Sequence, residues 1–235
     1  MIENITPQHL MDLFHDKQKT QKKKMVDEWG TIHFKEYPRF ELIELNRTKI
    51  KYDKFQKLLI SRRSKRNLTK KVSLNQLSNI LYFSAGICKG NLNTSRRTYP
   101  SGGARYPLEI YLIINNSEID NGLYHYNILE NSLEKFPKKI SKNTIKSLFF
   151  QKFVCKSSII MIITSVIGRS QIKYGLKSLK FSFIESGHLA QNVMLCAKNM
   201  KLNSCAIGGY DGNALEKILE IDGLSEGVIY VISLG

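Results

Sequence analysis

The chain has 235 residues, of which 42% are hydrophobic, and this is enough for one domain with a sizeable core. Its 36 Lys and Arg residues against 20 Asp and Glu residues give a formal charge of +16, but no zinc-finger, homeodomain or RRM pattern accompanies the charge, which argues against nucleic-acid binding as the function. The sequence has no apolar run long enough for a membrane span and no signal-peptide pattern, so we expect a cytoplasmic protein.

The first predicted element is a helix that begins at Thr6-Pro7, turns very polar through Lys24 and ends near Trp29-Gly30, followed by chain of mixed extended character over residues 30–52. Asp53 then predicts the N-terminal cap of a short helix. We accordingly divide the chain into an N-terminal extension, residues 1–54, and one domain, residues 55–235.

Within that domain, Ser73 and Gln76 form a capping box that predicts a helix over residues 74–85, closed by Gly86. The elements predicted after it are strand 108–115, hairpin 122–127 and 133–136, helix 141–151, strand 158–165, helix 179–200, turn 206–211, helix 213–219 and strand 228–234. A hairpin in the middle of this order, instead of strict strand–helix alternation, predicts an α+β fold.

A basic cluster follows the first short helix of the domain. It places three guanidinium groups and a hydroxyl within five positions, at Arg62, Arg63, Ser64 and Arg66. Guanidinium groups form bidentate, charge-assisted hydrogen bonds to phosphate, and serine adds a close donor. Taken alone, the cluster is equally compatible with a solvated basic surface.

The string from Arg96 to Tyr111 is the most informative in the chain. At its centre lies a glycine loop made of Pro100, Ser101, Gly102 and Gly103, and an apolar strand follows it. Adjacent glycines open backbone conformations barred to other residues and expose N–H groups to a flat or anionic ligand, while proline stiffens the turn. A bare Pro-Ser-Gly-Gly is otherwise an ordinary tight turn.

Two further motifs lie in the C-terminal half. Lys173-Tyr174 precedes a Phe-x-x-x-Glu-x-Gly pattern at 181–187, which Gln191-Asn192 follows, and Gly208-Gly209 opens a Gly-Gly-Tyr-Asp turn. Taken individually, Lys173-Tyr174 would be explained by a solvated lysine beside a packed tyrosine. The Gly-Gly-Tyr-Asp turn would be explained by a plain loop. Glu185 and Asn192 are explained by a buried helix with satisfied polar contacts at least as well as by catalysis.

No metal site is expected. The four cysteines are widely separated, with no Cys-x-x-Cys pair and no histidine spaced to complete a zinc site. His125 lies in a tyrosine-rich strand and His188 in a predicted helix, so we interpret both as structural or surface residues.

Together these motifs, over residues 55–235, resemble the SagB/ThcOx-type, or McbC-like, azoline dehydrogenases of the FMN-dependent nitroreductase superfamily. The resemblance implies a nitroreductase-like fold, with a mainly antiparallel central sheet flanked by helices, and a homodimer that builds its FMN site from two subunits. It also implies oxidation of thiazoline or oxazoline rings in a ribosomally made precursor peptide, alongside a cyclodehydratase partner, with electrons passing to oxygen.

By the same resemblance, Arg62, Ser64 and Arg66 match an Arg-x-Ser-x-(Arg/Lys) motif that binds the FMN phosphate and ribityl chain. Arg63 matches a doubled arginine that is common in the SagB-like branch. The glycine loop would lie along the isoalloxazine ring, and the Gly208-Gly209 backbone would face it near N5. Arg97, Arg105 and Tyr106 would either line the site or brace the loop.

Lys173 and Tyr174 would be the catalytic pair, the first as base and the second as proton relay or ring holder. Because neighbours one apart do not share a helix face, we expect both on a turn before the long helix. Lysines stand at 177 and 180, where relatives carry arginine, so peptide recognition is expected to differ. An NAD(P)H-dependent reductase of nitro, quinone or dehydroamino substrates, and a scaffold subunit of a peptide-modifying complex, remain the alternatives.

Overall fold

The computed structural model describes residues 34–45, 52–89 and 96–235. The helix predicted from Thr6, and most of the N-terminal extension, lie outside the described residues. In the segment 34–45 the chain makes a turn in which the Phe40 N–H donates to the Tyr37 carbonyl at 3.0 Å.

A six-stranded sheet forms the centre of the domain, in the strand order β5-β4-β3-β6-β8-β7 with every neighbouring pair antiparallel. A separate ribbon pairs β1 with β2. The strands are β1 (Ile87–Lys89), β2 (Arg96–Arg97), β3 (Leu108–Ile114), β4 (Gly122–Asn127), β5 (Ser132–Lys135), β6 (Ile159–Val166), β7 (Ser204–Ile207) and β8 (Glu226–Leu234). The predicted antiparallel α+β architecture is confirmed.

Helices cover both faces of this sheet. They are α1 (Lys54–Ser61), α2 (Leu74–Ala85), α3 (Lys142–Leu148), α4 (Gly168–Tyr174), α5 (Lys177–Asn199) and α6 (Gly212–Leu219), with 3₁₀ turns at Gly102–Ala104 and Lys152–Lys156. Among the described residues, no helix combines the length and the apolar character needed to cross a membrane.

The predicted caps of the first two helices are confirmed. The Asp53 carboxylate accepts from the N–H groups of Phe55 and Gln56, and the Ser73 hydroxyl accepts from Gln76 N–H at 3.0 Å. In both boxes the backbone N–H of the cap residue donates in return to the glutamine Oε1. These local bonds satisfy amide groups that a helix start leaves without partners.

The core has two layers, one on each face of the sheet. Because side chains alternate along a strand, Ile110 and Leu112 of β3 pack toward α2 and α5, whereas Tyr111 and Ile113 pack toward α3 and α6. Coverage of both faces explains why β6, Ile159–Val166, is apolar almost throughout instead of alternating.

Two elements that position the candidate site were not predicted. β7 is a four-residue edge strand of small and apolar residues that pairs with β8, where a turn alone was expected. α4 buries Ser170 alone, so it lacks the apolar periodicity that reveals a helix. The helix predicted over 141–151 ends earlier, at Leu148, because Phe149 leaves it to pair with Tyr210.

Candidate active site

The glycine loop adopts a strained backbone. Gly103 has a φ of 59°, and two residues after it that are not glycine also have positive values, 53° for Ala104 and 47° for Tyr106. Such conformations cost free energy and persist where the surroundings hold them in place, which is common at functional sites. One restraint is local, since the Tyr106 N–H donates to the Ser101 hydroxyl at 2.8 Å.

Lys173 and Tyr174 reach this loop together. A Cβ atom on Gly103 would lie 2.6 Å from the Tyr174 hydroxyl oxygen and 3.0 Å from Lys173 Nζ, so the space that a side chain would take is filled by the pair. The expectation that they lie on a turn was wrong. They form the last turn of α4, and because the helix ends at Gly175, both side chains reach past its end to the same glycine.

Glu185 of α5 holds the other side of the loop. Its Oε1 accepts from the Gly102 N–H at 2.9 Å. The side chain is buried, with 3% of the residue exposed, and within the described part of the chain its Oε2 has no hydrogen-bond partner. Burial raises the pKa of Glu185 above its ordinary value, and the bond from the Gly102 N–H and the nearby Ser101 hydroxyl oppose that rise.

Asn192, by contrast, has the satisfied contact that was expected, with its Nδ2 donating to the Thr98 carbonyl at 3.3 Å. Sequence reasoning therefore explained Asn192 but missed the importance of Glu185. The available signal was an acidic residue on a helix face that is otherwise apolar or small, at a spacing of four from Phe181.

Arginines brace the loop from outside. The Arg97 guanidinium lies 4.9 Å from the centre of the Tyr106 ring, and Arg105 Nε donates to the Arg169 carbonyl at 2.9 Å. Arg169 in turn donates to the Tyr106 carbonyl and pairs with Glu109. Of the two roles considered for Arg97, Arg105 and Tyr106, these contacts favour bracing.

His125 continues this network across the sheet. Its ring nitrogens lie 2.9 Å from a Glu109 oxygen and 2.8 Å from a Glu134 oxygen, and the bond to Glu109 is the main cause that raises the pKa of His125. The residue therefore has the structural role that we expected. In the described ranges, no three His, Cys, Asp or Glu side chains are grouped to hold a metal ion.

The basic cluster lies along the outer edge of β7. The Lys65 N–H donates to the Ser204 carbonyl at 2.9 Å, which places its neighbours Ser64 and Arg66 beside the start of that strand. The Arg63 guanidinium donates to the carbonyls of Ile60 and Arg62 at the end of α1. Arg63 is thus engaged by the backbone, unlike the other members of the cluster.

Arg62, Ser64 and Arg66 retain free donors. Their side chains make no ion pair or hydrogen bond with any of the described residues, and Arg66 lies 5.9 Å from the centre of the Phe153 ring. Two guanidinium groups and a hydroxyl without an acidic partner are a donor set suited to a phosphate group.

A cavity of about 470 Å³ opens at the other end of β7. It is lined by Phe183, Ser186, Gly187, Ile207, Gly208, Tyr210, Ile229 and Tyr230. A Cβ atom on Gly208 would meet nothing within 4 Å, so its backbone faces open space, whereas one on Gly209 would lie 2.6 Å from Gln151 Nε2. The cavity therefore exposes Gly208, and Gly209 packs against the protein.

The basic cluster and this cavity fit the two ends of an FMN molecule. The residues from Ser204 to Gly208 span about 13 Å at the rise of a β-strand. That separation places phosphate donors at one end and an accessible glycine backbone with aromatic neighbours at the other.

Helix α5 separates the cavity at the end of β7 from the glycine loop. Phe181 and Glu185 face the loop, whereas Phe183 and Gly187 line the cavity. At 3.6 residues per turn, positions 181 and 183 point about 160° apart. One copy of the chain therefore presents the glycine loop with Lys173 and Tyr174 on one side of α5, and the cavity on the opposite side.

The fold and these motifs coincide with a known family. The Nitroreductase family model matches residues 59–235, which is most of the chain, and the chain belongs to that family. Membership makes the protein an oxidoreductase of the nitroreductase class.

Comparisons with individual proteins define the branch. The chain is 29% identical to the Methanocaldococcus jannaschii protein MJ1384, named as a nitroreductase, over 77% of this chain and 91% of that protein. It is 26% identical to the microcin B17-processing protein McbC of Escherichia coli, over 54% of this chain and 49% of McbC. The predicted relationship to McbC-like members of the superfamily is confirmed.

A solved structure shares the fold along nearly the whole chain. It is the Escherichia coli microcin synthetase McbBCD complex with truncated pro-MccB17 bound, in which one chain superposes with a TM-score of 0.73 at 19% identity. The superposition covers 97% of this chain and 92% of that one.

Proposed function

We propose that the protein is an FMN-dependent dehydrogenase that oxidises thiazoline or oxazoline rings to thiazoles or oxazoles in a ribosomally synthesised peptide. The observation that carries the proposal is the convergence of Lys173 and Tyr174 on Gly103. Similarity to McbC, named for microcin processing, and to a synthetase complex with a pro-peptide bound supports a peptide substrate and a cyclodehydratase partner.

The reaction removes one ring hydrogen as a proton and one as a hydride. When bound, FMN supplies the hydride acceptor at N5. Lys173 takes the ring proton through its Nζ, and Tyr174 relays that proton or holds the ring through its hydroxyl. Because Gly103 carries no side chain, the polar ends of Lys173 and Tyr174 meet over its backbone, which brings the two groups together for the ring.

The cofactor is held between two copies of the chain. Arg62, Ser64 and Arg66 of one copy bind the phosphate and ribityl chain, and its Gly208 turn faces the ring. The glycine loop and the Lys173-Tyr174 pair come from the other copy. The position of these groups on opposite sides of α5 supports this division, because a single copy cannot bring them together across the helix.

Exposed apolar side chains support the dimer. No residue of α1 is buried in the single chain, although the helix carries Phe55, Leu59 and Ile60 on its surface. Phe83 of α2 and Ile184 of α5 are 54% and 45% exposed. Large apolar side chains exposed on three helices favour an interface, and a second copy would cover them.

The runner-up is a flavin reductase that uses NAD(P)H to reduce nitro, quinone or dehydroamino substrates. The match over 91% of MJ1384, which is named as a nitroreductase, favours it. Lys173 and Tyr174 discriminate between the two functions. Azoline oxidation requires a base and a phenol beside the ring, whereas a reductase of this kind has no need of the pair. A scaffold subunit would require neither the pair nor bound flavin.

Arg62→Ala and Arg66→Ala are each expected to weaken FMN binding about tenfold to hundredfold. Losing a charge-assisted bond to phosphate costs about 1.5–3 kcal/mol, which corresponds to that range. Titration of the apoprotein with FMN, followed by flavin fluorescence, measures the affinity. Arg63→Ala is the matched control, because its guanidinium binds backbone carbonyls at the end of α1. Equal FMN affinity in all three variants and the parent would identify the cluster as surface charge.

Oxidation of an azoline-bearing peptide by the FMN-loaded protein tests the proposed activity itself. The expected product has lost two hydrogen atoms per ring.

A further inference from the structure

Glu185 occupies a position that folding alone does not explain. Its carboxylate is buried in α5, and in the described part of the chain it forms no ion pair, although Arg97 and His188 act on its charge through space. Burying a carboxylate without a bonded counter-ion is unfavourable. The hydrogen bond that its Oε1 accepts comes from the Gly102 N–H, which belongs to the glycine loop.

The segment that Glu185 holds contains three residues with positive φ within four positions, Gly103, Ala104 and Tyr106. Of the residues other than glycine with positive φ, Ala104 and Tyr106 lie within four positions of Gly102. A strained segment relaxes unless its surroundings fix it. Glu185 fixes the start of this segment through the Gly102 N–H, and a second restraint within the loop is the bond from the Tyr106 N–H to the Ser101 hydroxyl.

The same contacts place the loop against the catalytic pair. A Cβ atom on Gly102 would lie 3.6 Å from Phe181 Cγ and 3.7 Å from both Glu185 Oε1 and Tyr174 Cε2, so the glycine packs against these three side chains. Gly103, the next residue, meets the polar ends of Lys173 and Tyr174. A shift of Gly102 away from Glu185 would therefore move the backbone against which the pair rests.

We propose that Glu185 is a positioning residue that fixes the glycine loop in register with Lys173 and Tyr174. It acts through the loop and does not itself touch the reacting ring. The importance of this register for turnover rests on the proposed function, whereas the restraint on the loop does not.

Hydrogen–deuterium exchange of the dimeric, FMN-loaded protein tests the restraint directly, with no substrate present. Glu185→Leu removes both acceptor oxygens at similar volume, and amides in residues 99–106 should exchange roughly tenfold to hundredfold faster, as expected for loss of a bond to a charged acceptor. Glu185→Gln keeps a carbonyl oxygen for Gly102 N–H and should restore exchange to near the parent rate.

Glu216→Leu is the matched control. Glu216 is also buried and also accepts from a backbone N–H, that of Val228 at 3.0 Å, but it lies on α6. Its loss should lower stability without changing exchange in residues 99–106. If Glu185→Leu does not fold, Glu185→Met takes its place, because methionine also removes both acceptor oxygens at similar volume, and the same acceleration is expected there.

Turnover completes the test. The rate constant for azoline oxidation should fall about tenfold or more in Glu185→Leu, since small displacements of catalytic groups have effects of this size, and Glu185→Gln should rescue it. The proposal would be overturned by exchange at the parent rate in Glu185→Leu or in its Glu185→Met substitute. Equal acceleration by Glu216→Leu would overturn it as well. If the exchange pattern is as expected but the parent protein oxidises no azoline, the proposed function fails and the positioning role stands.

Discussion

Replacing Lys173 by alanine, or Tyr174 by phenylalanine, is expected to lower azoline oxidation by about 10²–10⁴-fold, the range for loss of positioned acid–base catalysis. Both variants should remain folded, dimeric and yellow, because Lys173 is exposed and Tyr174 half-buried, and neither belongs to the two core layers. Single-turnover oxidation of a thiazoline peptide measures the effect.

Two controls accompany that experiment. Lys198→Ala removes another exposed lysine, in the last turn of α5, and should oxidise the peptide at the parent rate. Reduction of the flavin by a chemical reductant should be unchanged in all variants, because that step removes no substrate proton. Parent-rate azoline oxidation in both Lys173→Ala and Tyr174→Phe would make the pair structural and favour the flavin reductase.

Gly103→Ala is expected to reduce azoline oxidation by about 10²-fold. The added Cβ would lie 2.6 Å from the Tyr174 hydroxyl, and alanine is disfavoured at a φ of 59°. The hydroxyl ends a flexible side chain and can move aside, so the loss of stability should stay near the 1–2 kcal/mol of a left-handed alanine. The displacement of a catalytic group then dominates the effect on the rate.

Gly168→Ala provides the comparison for this substitution. Gly168 begins α4, the helix that carries Lys173 and Tyr174, and a Cβ there would meet nothing within 4 Å. It should therefore oxidise the peptide like the parent. Thermal unfolding and kinetics of both variants measure stability and rate separately. A Gly103→Ala protein that matches Gly168→Ala in rate would show that the space above Gly103 is not used in the reaction.

The elements that could be predicted are those whose information is local. Asp53 and Ser73 mark their helices because a cap and its return bond lie within four residues. β6 is predicted by a continuous apolar run in the sequence, which follows from burial on both faces of the strand. The antiparallel hairpin of β4 and β5 likewise follows from two short patterns separated by a turn.

The elements and residues that were not predicted depend on contacts between distant parts of the chain. β7 exists because β8 pairs with it, and α4 because Arg169 ties it to Tyr106 and Glu109. The importance of Glu185 comes from a hydrogen bond to Gly102, 83 positions away along the chain. The sequence alone grouped Arg63 with the phosphate ligands, whereas its guanidinium binds the end of α1, a difference that only side-chain direction reveals.

The central claim is that this chain oxidises an azoline ring, and one measurement addresses it most directly. The FMN-loaded protein is incubated in air with a peptide carrying a single thiazoline, alone and together with a cyclodehydratase that forms such rings, and the peptide mass is followed. The account predicts loss of two hydrogen atoms per ring, abolished in the Lys173→Ala, Tyr174→Phe double variant. An unchanged peptide under both conditions, while the same protein reduces a nitro or quinone acceptor with NAD(P)H, would contradict it.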